Sequence, residues 1–149
     1  MRLLLDLRDV ESHIDRRRLA NEAEEYGLWG IVVTGPPGAE CVEAAAVAAL
    51  TDTVSILVDV DGDETHPTTL AEEVAVLDQI SRRRTMIMFR GSPAARAKVA
   101  DLLGGLPSDG FILSPPPAQA SVPVYTPEDI PEAKLADDVR QNAEVVDQH

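Results

Sequence analysis

The feature that most constrains the fold is a regular alternation of short apolar runs with longer segments of helical period. Five runs are rich in Leu, Val, Ile or Met and are predicted to be strands: residues 1–7, 30–34, 54–60, 85–90 and 110–114. The segments between them are predicted to be helices: residues 15–26, 39–50, 69–84 and 92–103. Strands that alternate with helices pair in parallel through right-handed crossovers. The sequence therefore predicts an α/β fold built on a mostly parallel sheet.

The third helical segment has the clearest pattern. Its apolar residues recur at spacings of four, three and three, which places on one face Leu70, Val74, Leu77 and Ile80. Thr69 stands three residues before Glu72, the spacing of a capping box, so the helix is predicted to begin near Thr69. Three arginines at 82–84 suit the carbonyl end of a helix, so the helix is predicted to stop there.

The alternation stops at three consecutive prolines, residues 115–117, which cannot donate to a strand ladder. Residues 122–125 are predicted to form a short sixth segment at a sheet edge. The acidic tail beyond is predicted to be helical up to about Val146, because Leu135, Val139, Ala143 and Val146 are three or four residues apart. The chain is thus interpreted as one domain: βα units over 1–91, a last βα unit over 92–114, and a Pro-rich segment with a helix over 115–149.

Composition excludes several classes of protein. A net charge of −13 and a pI near 4.5 oppose binding to a nucleic-acid backbone. No apolar run approaches the roughly 18 to 20 residues of a membrane span, and the first strand follows no leader, so we expect a cytoplasmic protein without a membrane anchor. Cys41 is the only cysteine, and we interpret it as a packing residue of the second helix.

Residues 66–84, HPTTLAEEVAVLDQISRRR, resemble a conserved stretch of the luciferase-like flavin- and deazaflavin-dependent oxidoreductases. The shared positions are His66, Pro67, Leu70, Ala71, Glu72, Leu77, Asp78, Ser81 and Arg84. Arg83 stands where the family has a glycine that helps the chain turn into the next strand. Residues 23–30 and 46–60 also resemble the front of these proteins, and residues 91–130 resemble their far end.

The resemblance implies a (β/α)₈ barrel, which needs eight strands and typically about 250 residues. Only five strands and a sixth segment are predicted here, so we expect a reduced, incomplete barrel. Unpaired sheet edges are usually covered. We therefore expect a homodimer or a complex with a larger partner.

Sites in such barrels lie at the carboxyl ends of the strands. In the family a flavin or deazaflavin lies across that mouth, which implies cofactor contacts from Asp6, Thr34, Gly35, Asp59, Arg90, Gly91 and Ser114. His66 is the candidate catalytic base, and its alternative role is to orient the loop before Pro67. The histidine that many members carry after the second strand is replaced here by Thr34 and Gly35, and the later strands that help to hold the phosphate are missing.

Residues 59–63, DVDGD, superficially match two metal-binding patterns. An EF-hand would need glycine at 64 and glutamate at 70, where this chain has Glu64 and Leu70. The haloacid-dehalogenase phosphatase pattern has threonine where Asp63 stands. We therefore interpret the stretch as a solvated acidic loop and expect no metal site.

Two functions follow from the resemblance. The first is a binding, regulatory or assembly protein, derived from flavin or deazaflavin oxidoreductases, with weak or lost catalysis. The second is an active FMN- or F420-dependent oxidoreductase or monooxygenase whose site is completed across an oligomer interface. The cofactor is accordingly FMN, F420 or none.

Overall fold

The computed structural model describes residues 2–129 and, as backbone, residues 133–136. The elements in chain order are β1 (Arg2–Asp6), α1 (His13–Glu25), β2 (Gly30–Val33), α2 (Glu40–Ala49), β3 (Ser55–Asp61), α3 (Pro67–Ser81), β4 (Thr85–Arg90), α4 (Pro93–Leu103), β5 (Val124–Tyr125) and β6 (Ala133–Ala136). The first eight elements match the predicted alternation, with ends that differ by a few residues. None of the helices in the described part has the length and apolar character that a membrane crossing needs.

All six strands pair in parallel, in the order β5-β4-β3-β2-β1-β6. Each of the first four strands lies beside its neighbour in sequence, as successive strands of a (β/α)₈ barrel do. Within the described residues, β5 and β6 are the two edges of the sheet and do not pair with each other. The prediction of a reduced, incomplete barrel-like fold is thus confirmed.

Side chains alternate between two faces of the sheet. One face packs against the helices and holds most of the core, including Leu5, Ile31, Val58 and Ile87. The opposite face, here called the inner face, carries a smaller buried cluster formed by Leu4, Val32, Leu57, Met86 and Met88, flanked by Trp29 and Tyr125. Both faces of the inner strands are therefore apolar, as expected for parallel strands.

The prediction that α3 begins near Thr69 is wrong by two residues. His66 is the N-cap, its Nδ1 accepts a hydrogen bond from the Thr68 amide at 3.2 Å, and Pro67 is the first helical residue. The apolar stripe is only partly buried: Leu77 is in the core, whereas Ile80 is 42 % exposed. The helix ends at Ser81, before the arginines.

The predicted strand over residues 110–114 is wrong. Gly110 has a left-handed φ of 78°, which turns the chain, and an isolated antiparallel bridge joins Ser108 to Phe111. Leu113 still packs into the core from this irregular segment. The strand beside β4 is instead β5, which lies inside the edge segment predicted over 122–125. The unit predicted over 92–114 therefore contains a helix without its strand.

The predicted tail helix is wrong where it can be checked, because Leu135 lies in β6, which pairs with β1. The free edge of β1 offers backbone partners, and such pairing overrides a weak local helical spacing. The other residues that suggested the helix, Val139, Ala143 and Val146, lie outside the described part.

Candidate functional site at the carboxyl ends of the strands

A cluster of charged side chains lies at the carboxyl end of the sheet. Asp6 and Asp59 each follow an apolar residue of the inner face by two positions, and so does Arg90. Because alternate residues of a strand share a face, the three side chains project from the inner face. With Arg8, just past β1, they form the strand-end cluster, defined here as Asp6, Arg8, Asp59 and Arg90.

Asp59 is the centre of the strand-end cluster and is only 5 % exposed. Its Oδ2 accepts a hydrogen bond from the Arg8 guanidinium at 2.9 Å, and its Oδ1 accepts one from Arg90 Nε at 2.6 Å. Both carboxylate oxygens therefore have a cationic donor. Such pairing offsets the large cost of burying a carboxylate.

Asp6 holds Arg8 in a two-pronged ion pair. Arg8 donates from Nε to Oδ1 at 2.9 Å and from a terminal nitrogen to Oδ2 at 2.8 Å, and its backbone amide donates to Oδ1 at 3.1 Å. Burial alone would raise the pKa of Asp6, but these hydrogen bonds outweigh it and the pKa is lowered. The bond to Asp6 is also the main reason that the pKa of Arg8 is raised. The pair therefore stays charged across the physiological pH range.

Thr34 and the two predicted glycines lie next to the cluster at the ends of β2 and β4. The Thr34 hydroxyl donates to the backbone carbonyl of Asp59 at 2.8 Å. A Cβ at Gly35 would lie 3.0 Å from the carbonyl oxygen of Ala39, and one at Gly91 would lie 3.0 Å from the Phe89 ring. A side chain at either position would therefore be crowded by this chain's own atoms.

Two predicted site residues are not part of the strand-end cluster. His66 is exposed and makes its described hydrogen bond within its own turn, as the cap of α3. Its role as a base stays a prediction. Ser114 is exposed and does not end a strand. The segment that follows it lies at the opposite end of β4, where Gln119 donates to the carbonyl oxygen of Thr85.

The acidic loop after β3 is held by hydrogen bonds to backbone amides. Glu40, which is buried, accepts from the Asp61 amide at 2.8 Å, and Asp63 accepts from the Ser92 amide at 3.1 Å. Gly62 packs against the Phe89 ring so closely that a Cβ would overlap it. Among the described residues, no group of three or more His, Cys, Asp or Glu is placed to hold a metal ion.

The polar residues of the stretch 66–84 build the turn from α3 into β4. Arg84 donates to the backbone carbonyls of Ser81 at 2.6 Å, Ala48 at 2.8 Å, Thr51 at 2.9 Å and Val54 at 3.0 Å. It thereby satisfies carbonyl groups at the end of α2 and in the loop before β3. Arg84 thus has a structural role.

Asp78 is fully buried and has an equally structural role. It accepts hydrogen bonds from the Gln119 amide at 2.7 Å and from the Gln119 side chain at 2.8 Å. Ser81 and Thr85 share a hydrogen bond of 2.8 Å between their hydroxyls. Asp78, Ser81 and Arg84 of the resembling stretch therefore stabilise the fold.

Arg8 is the member of the strand-end cluster that is absent from the predicted cofactor contacts. Its contact with Asp59 joins residues 51 positions apart, and only the register of the sheet reveals it. The available signal is the spacing of Asp6 and Arg8, two residues apart at the end of the first strand, where they can form an ion pair.

No protein-family model and no curated protein sequence matches this chain. Solved structures do match it. The monooxygenase RslO1 from Streptomyces bottropensis is 22% identical with a TM-score of 0.67, over 85% of this chain and 53% of that one. The coenzyme F420-dependent tetrahydromethanopterin reductase from Methanopyrus kandleri is 15% identical with a TM-score of 0.68, over 84% and 49%. The EDTA monooxygenase EmoA from Chelativorans sp. BNC1 is 17% identical with a TM-score of 0.52, over 65% and 30%.

At sequence identities this low, the similarity to these structures shows a shared fold alone. The chain spans about half of the length of the first two structures and less than a third of EmoA. The resemblance of the sequence to luciferase-like oxidoreductases is thus confirmed as a shared fold, of which this chain contains about half.

Proposed function

We propose that this chain is a binding or assembly component derived from the flavin- and deazaflavin-dependent oxidoreductases, with weak or lost catalysis. The observation that carries the proposal is the strand-end cluster, in which Asp59 engages both Arg8 and Arg90. The family resemblance implies that the corresponding end of the sheet would hold a flavin or deazaflavin. Here it is filled by ion pairs within the chain.

The cluster does not fit the phosphate that FMN and F420 both carry. Asp61 at the end of β3 and Asp63 just after it bring the carboxylates near this end of the sheet to four, against two guanidinium groups, so the local net charge is negative. A phosphate could engage Arg8 fully only by separating it from Asp59, which is buried. Asp59 would then keep Arg90 as its cationic donor and lose the hydrogen bond from Arg8, which is unfavourable for a buried carboxylate. An anionic cofactor therefore gains little from these arginines.

One observation favours the second candidate, an FMN- or F420-dependent oxidoreductase completed across an oligomer interface. The Arg90 side chain is 50% exposed, and no described residue accepts a hydrogen bond from its two terminal nitrogens. That edge of the guanidinium is free to contact an anion. A partner would still have to supply further cations, because Asp61 and Asp63 lie in the same loop region.

Titration with FMN and with F420, followed by thermal unfolding, tests the proposal. A cofactor bound with a dissociation constant of about 10 μM would stabilise the chain by about 2.7 kcal/mol at about 1 mM. For a chain of this length that raises the melting temperature by roughly 5 to 11 °C. We expect no such shift.

The matched variants for this titration are Arg90→Gln and Arg17→Gln. Arg17 is exposed on α1, outside the strand-end cluster. A cofactor-induced shift that disappears in Arg90→Gln and persists in Arg17→Gln would overturn the proposal in favour of the second candidate.

The assembly part of the proposal is supported by β5 and β6, which are the edges of the sheet and have one strand neighbour each among the described residues. A second copy or a larger partner would cover them. Sedimentation of the purified chain measures self-association directly. A particle that stays strictly monomeric at micromolar concentration rules out the homodimer, and the proposal then requires a larger partner.

A further inference from the structure

We infer that the cavity beside the turn from α3 into β4 binds a small organic carboxylate through Arg83. The cavity has a volume of about 790 Å³ and is lined by Arg83, Gly105, Pro116, Pro117, Ala118, Gln119, Ala120 and Ser121. It lies at the end of the sheet where β4 begins, because Arg83 stands two residues before that strand. The strand-end cluster lies at the opposite end, so this inference goes beyond the proposed function and does not depend on it.

Arg83 is the only charged residue among the described residues that line the cavity. Its side chain is exposed and forms no hydrogen bond or ion pair within the described part of the chain. The two neighbouring arginines are occupied, since Arg82 pairs with Asp52 at 2.9 Å and Arg84 donates to backbone carbonyls. Of these three consecutive guanidinium groups, the one that lines the cavity is therefore the one available to a ligand.

The backbone conformation of Arg83 indicates that its side chain has a role beyond folding. Its φ of 71° lies in the left-handed region, which glycine adopts at a lower cost than arginine does. Its amide donates to the carbonyl of Asp78 at 3.1 Å, a hydrogen bond that glycine would make equally well. An arginine at this position therefore costs stability without adding a contact among the described residues, and strain of this kind is concentrated at functional sites.

The Pro-rich wall of the cavity, defined here as residues 116–121, is held in place before any ligand arrives. Gln79 donates to the carbonyl of Pro116 at 3.0 Å. Gln119 donates through its amide and its side chain to the buried carboxylate of Asp78. A wall that is already ordered reduces the entropy cost of binding.

The Pro-rich wall combines apolar surface with unused donors. Its apolar members are Pro116, Pro117, Ala118 and Ala120. In the described part of the chain, the Ser121 hydroxyl and the amides of Ala118, Ala120 and Ser121 donate to no protein group. A carboxylate can accept from a guanidinium and from such neutral donors together. An apolar group attached to the carboxylate would pack against the proline and alanine side chains.

The charge of the surroundings favours a ligand with a single negative charge. The chain has a net charge of −13, and the carbonyl ends of α3 and α4 lie at this end of the sheet, so both features oppose an anion. The helix ends are capped, because their last carbonyls accept from the amides of Arg82, Arg83, Gly104, Gly105 and Leu106. One free guanidinium balances one negative charge, and a phosphate dianion would keep an uncompensated charge. A carboxylate is therefore the better match.

The test is a titration with benzoate, followed through the amide chemical shifts of the full chain in NMR spectra. Benzamide has nearly the same shape without the charge, and inorganic phosphate has the charge without the apolar body. The matched variants are Arg83→Gln and Arg82→Gln, which remove the same charge from adjacent exposed positions, of which only position 83 lines the cavity. Arg83→Gly serves as a second variant that also relieves the left-handed backbone.

We expect benzoate to cause saturable shifts at Gly105, Ala118, Ala120 and Ser121, and we expect benzamide and phosphate to bind at least about fivefold more weakly. Arg83→Gln should weaken benzoate binding at least about fivefold and Arg82→Gln by less than about twofold. Arg83→Gly should weaken binding as much as Arg83→Gln does, yet unfold at no lower temperature than the wild type. Loss of binding without loss of stability separates a ligand contact from a structural role.

Three results would overturn the inference. The first is the absence of saturable shifts at these residues up to about 50 mM benzoate. The second is binding of benzamide or phosphate as tight as that of benzoate, which would mean that the carboxylate or the apolar body is not recognised. The third is equal weakening in Arg82→Gln and Arg83→Gln, which would indicate a general charge effect. None of these results bears on the strand-end cluster, which the titration with FMN and F420 tests separately.

Discussion

Replacing Arg84 with alanine should destabilise the protein by about 3 kcal/mol. Its guanidinium donates five hydrogen bonds, to the carbonyls of Ser81, Ala48, Thr51 and Val54 and to the Thr51 hydroxyl. These bonds join the ends of α2 and α3 to the starts of β3 and β4. The substitution therefore affects several elements at once.

The expected loss of unfolding free energy is the sum of these hydrogen bonds, reduced by the cost of desolvating the guanidinium. A net value of about 1 kcal/mol for each bond would give about 5 kcal/mol if the bonds were independent. Burial lowers the pKa of Arg84, so part of this energy is offset by desolvation of the charge. Water can also reach some of the carbonyls once the side chain is gone. We therefore expect about 2 to 4 kcal/mol, which corresponds to a fall of roughly 4 to 16 °C in melting temperature.

Urea unfolding measures the loss of unfolding free energy in Arg84→Ala, and Arg84→Lys and Arg17→Ala are the comparison variants. Lysine has three donors on one nitrogen and cannot reach all the carbonyls that the planar guanidinium reaches. Arg84→Lys should therefore show about half of the destabilisation of Arg84→Ala. Arg17 is exposed and should change stability by less than about 0.5 kcal/mol. A loss under about 1 kcal/mol in Arg84→Ala, or a lysine variant as stable as the wild type, would refute the structural role assigned to Arg84.

Three further predictions concern local features. Arg83 has a left-handed φ of 71°, so Arg83→Gly should raise the free energy of unfolding by about 0.5 to 1 kcal/mol in urea titrations, and Arg83→Ala should not. Gly62→Ala should cost about 1 to 3 kcal/mol in the same assay, because the added carbon overlaps the Phe89 ring. Burial would raise the pKa of Glu24, but hydrogen bonds from the backbone of Thr53 and its neighbours outweigh it and lower the pKa below the ordinary 4.5. The stabilisation from Glu24 is therefore complete above about pH 5 and is lost as the pH falls through the lowered pKa. Acid titration of stability should show the loss in the wild type and not in Glu24→Gln.

The first four βα units could be predicted from the sequence because each buried strand is a short apolar run with a turn signal after it. Gly91, for example, follows β4 directly, and Gly35 is the second residue after β2. The meeting of Asp59 and Arg90 was also predictable, since carboxyl ends of neighbouring parallel strands share one edge of the sheet. Resemblance to a known family supplied the expectation of an incomplete barrel.

The remaining elements depend on contacts between distant residues. The strand β6 exists where β1 has a free edge, and nothing in the local spacing of Leu135 indicates it. Conversely, the apolar run around Ile112 has the composition of a strand, but the left-handed Gly110 turns the chain away from the sheet. The structural role of Arg84 requires the loop between α2 and β3 to meet the loop between α3 and β4, which only the folded chain displays.

In the described part of the chain the strands form an open half of a barrel, with β5 and β6 as separate edges. Thiol cross-linking in a Cys41→Ala background tests it most directly. The control pair, Arg2→Cys with Ala133→Cys, joins register partners on β1 and β6, and neighbouring strands lie about 4.8 Å apart. The test pair, Tyr125→Cys with Ala133→Cys, joins the two edges. With a short bifunctional reagent, the account predicts rapid cross-linking of the control pair and cross-linking at least about tenfold slower for the test pair. Equal rates within single chains would mean that the strands close into a ring, which contradicts the account.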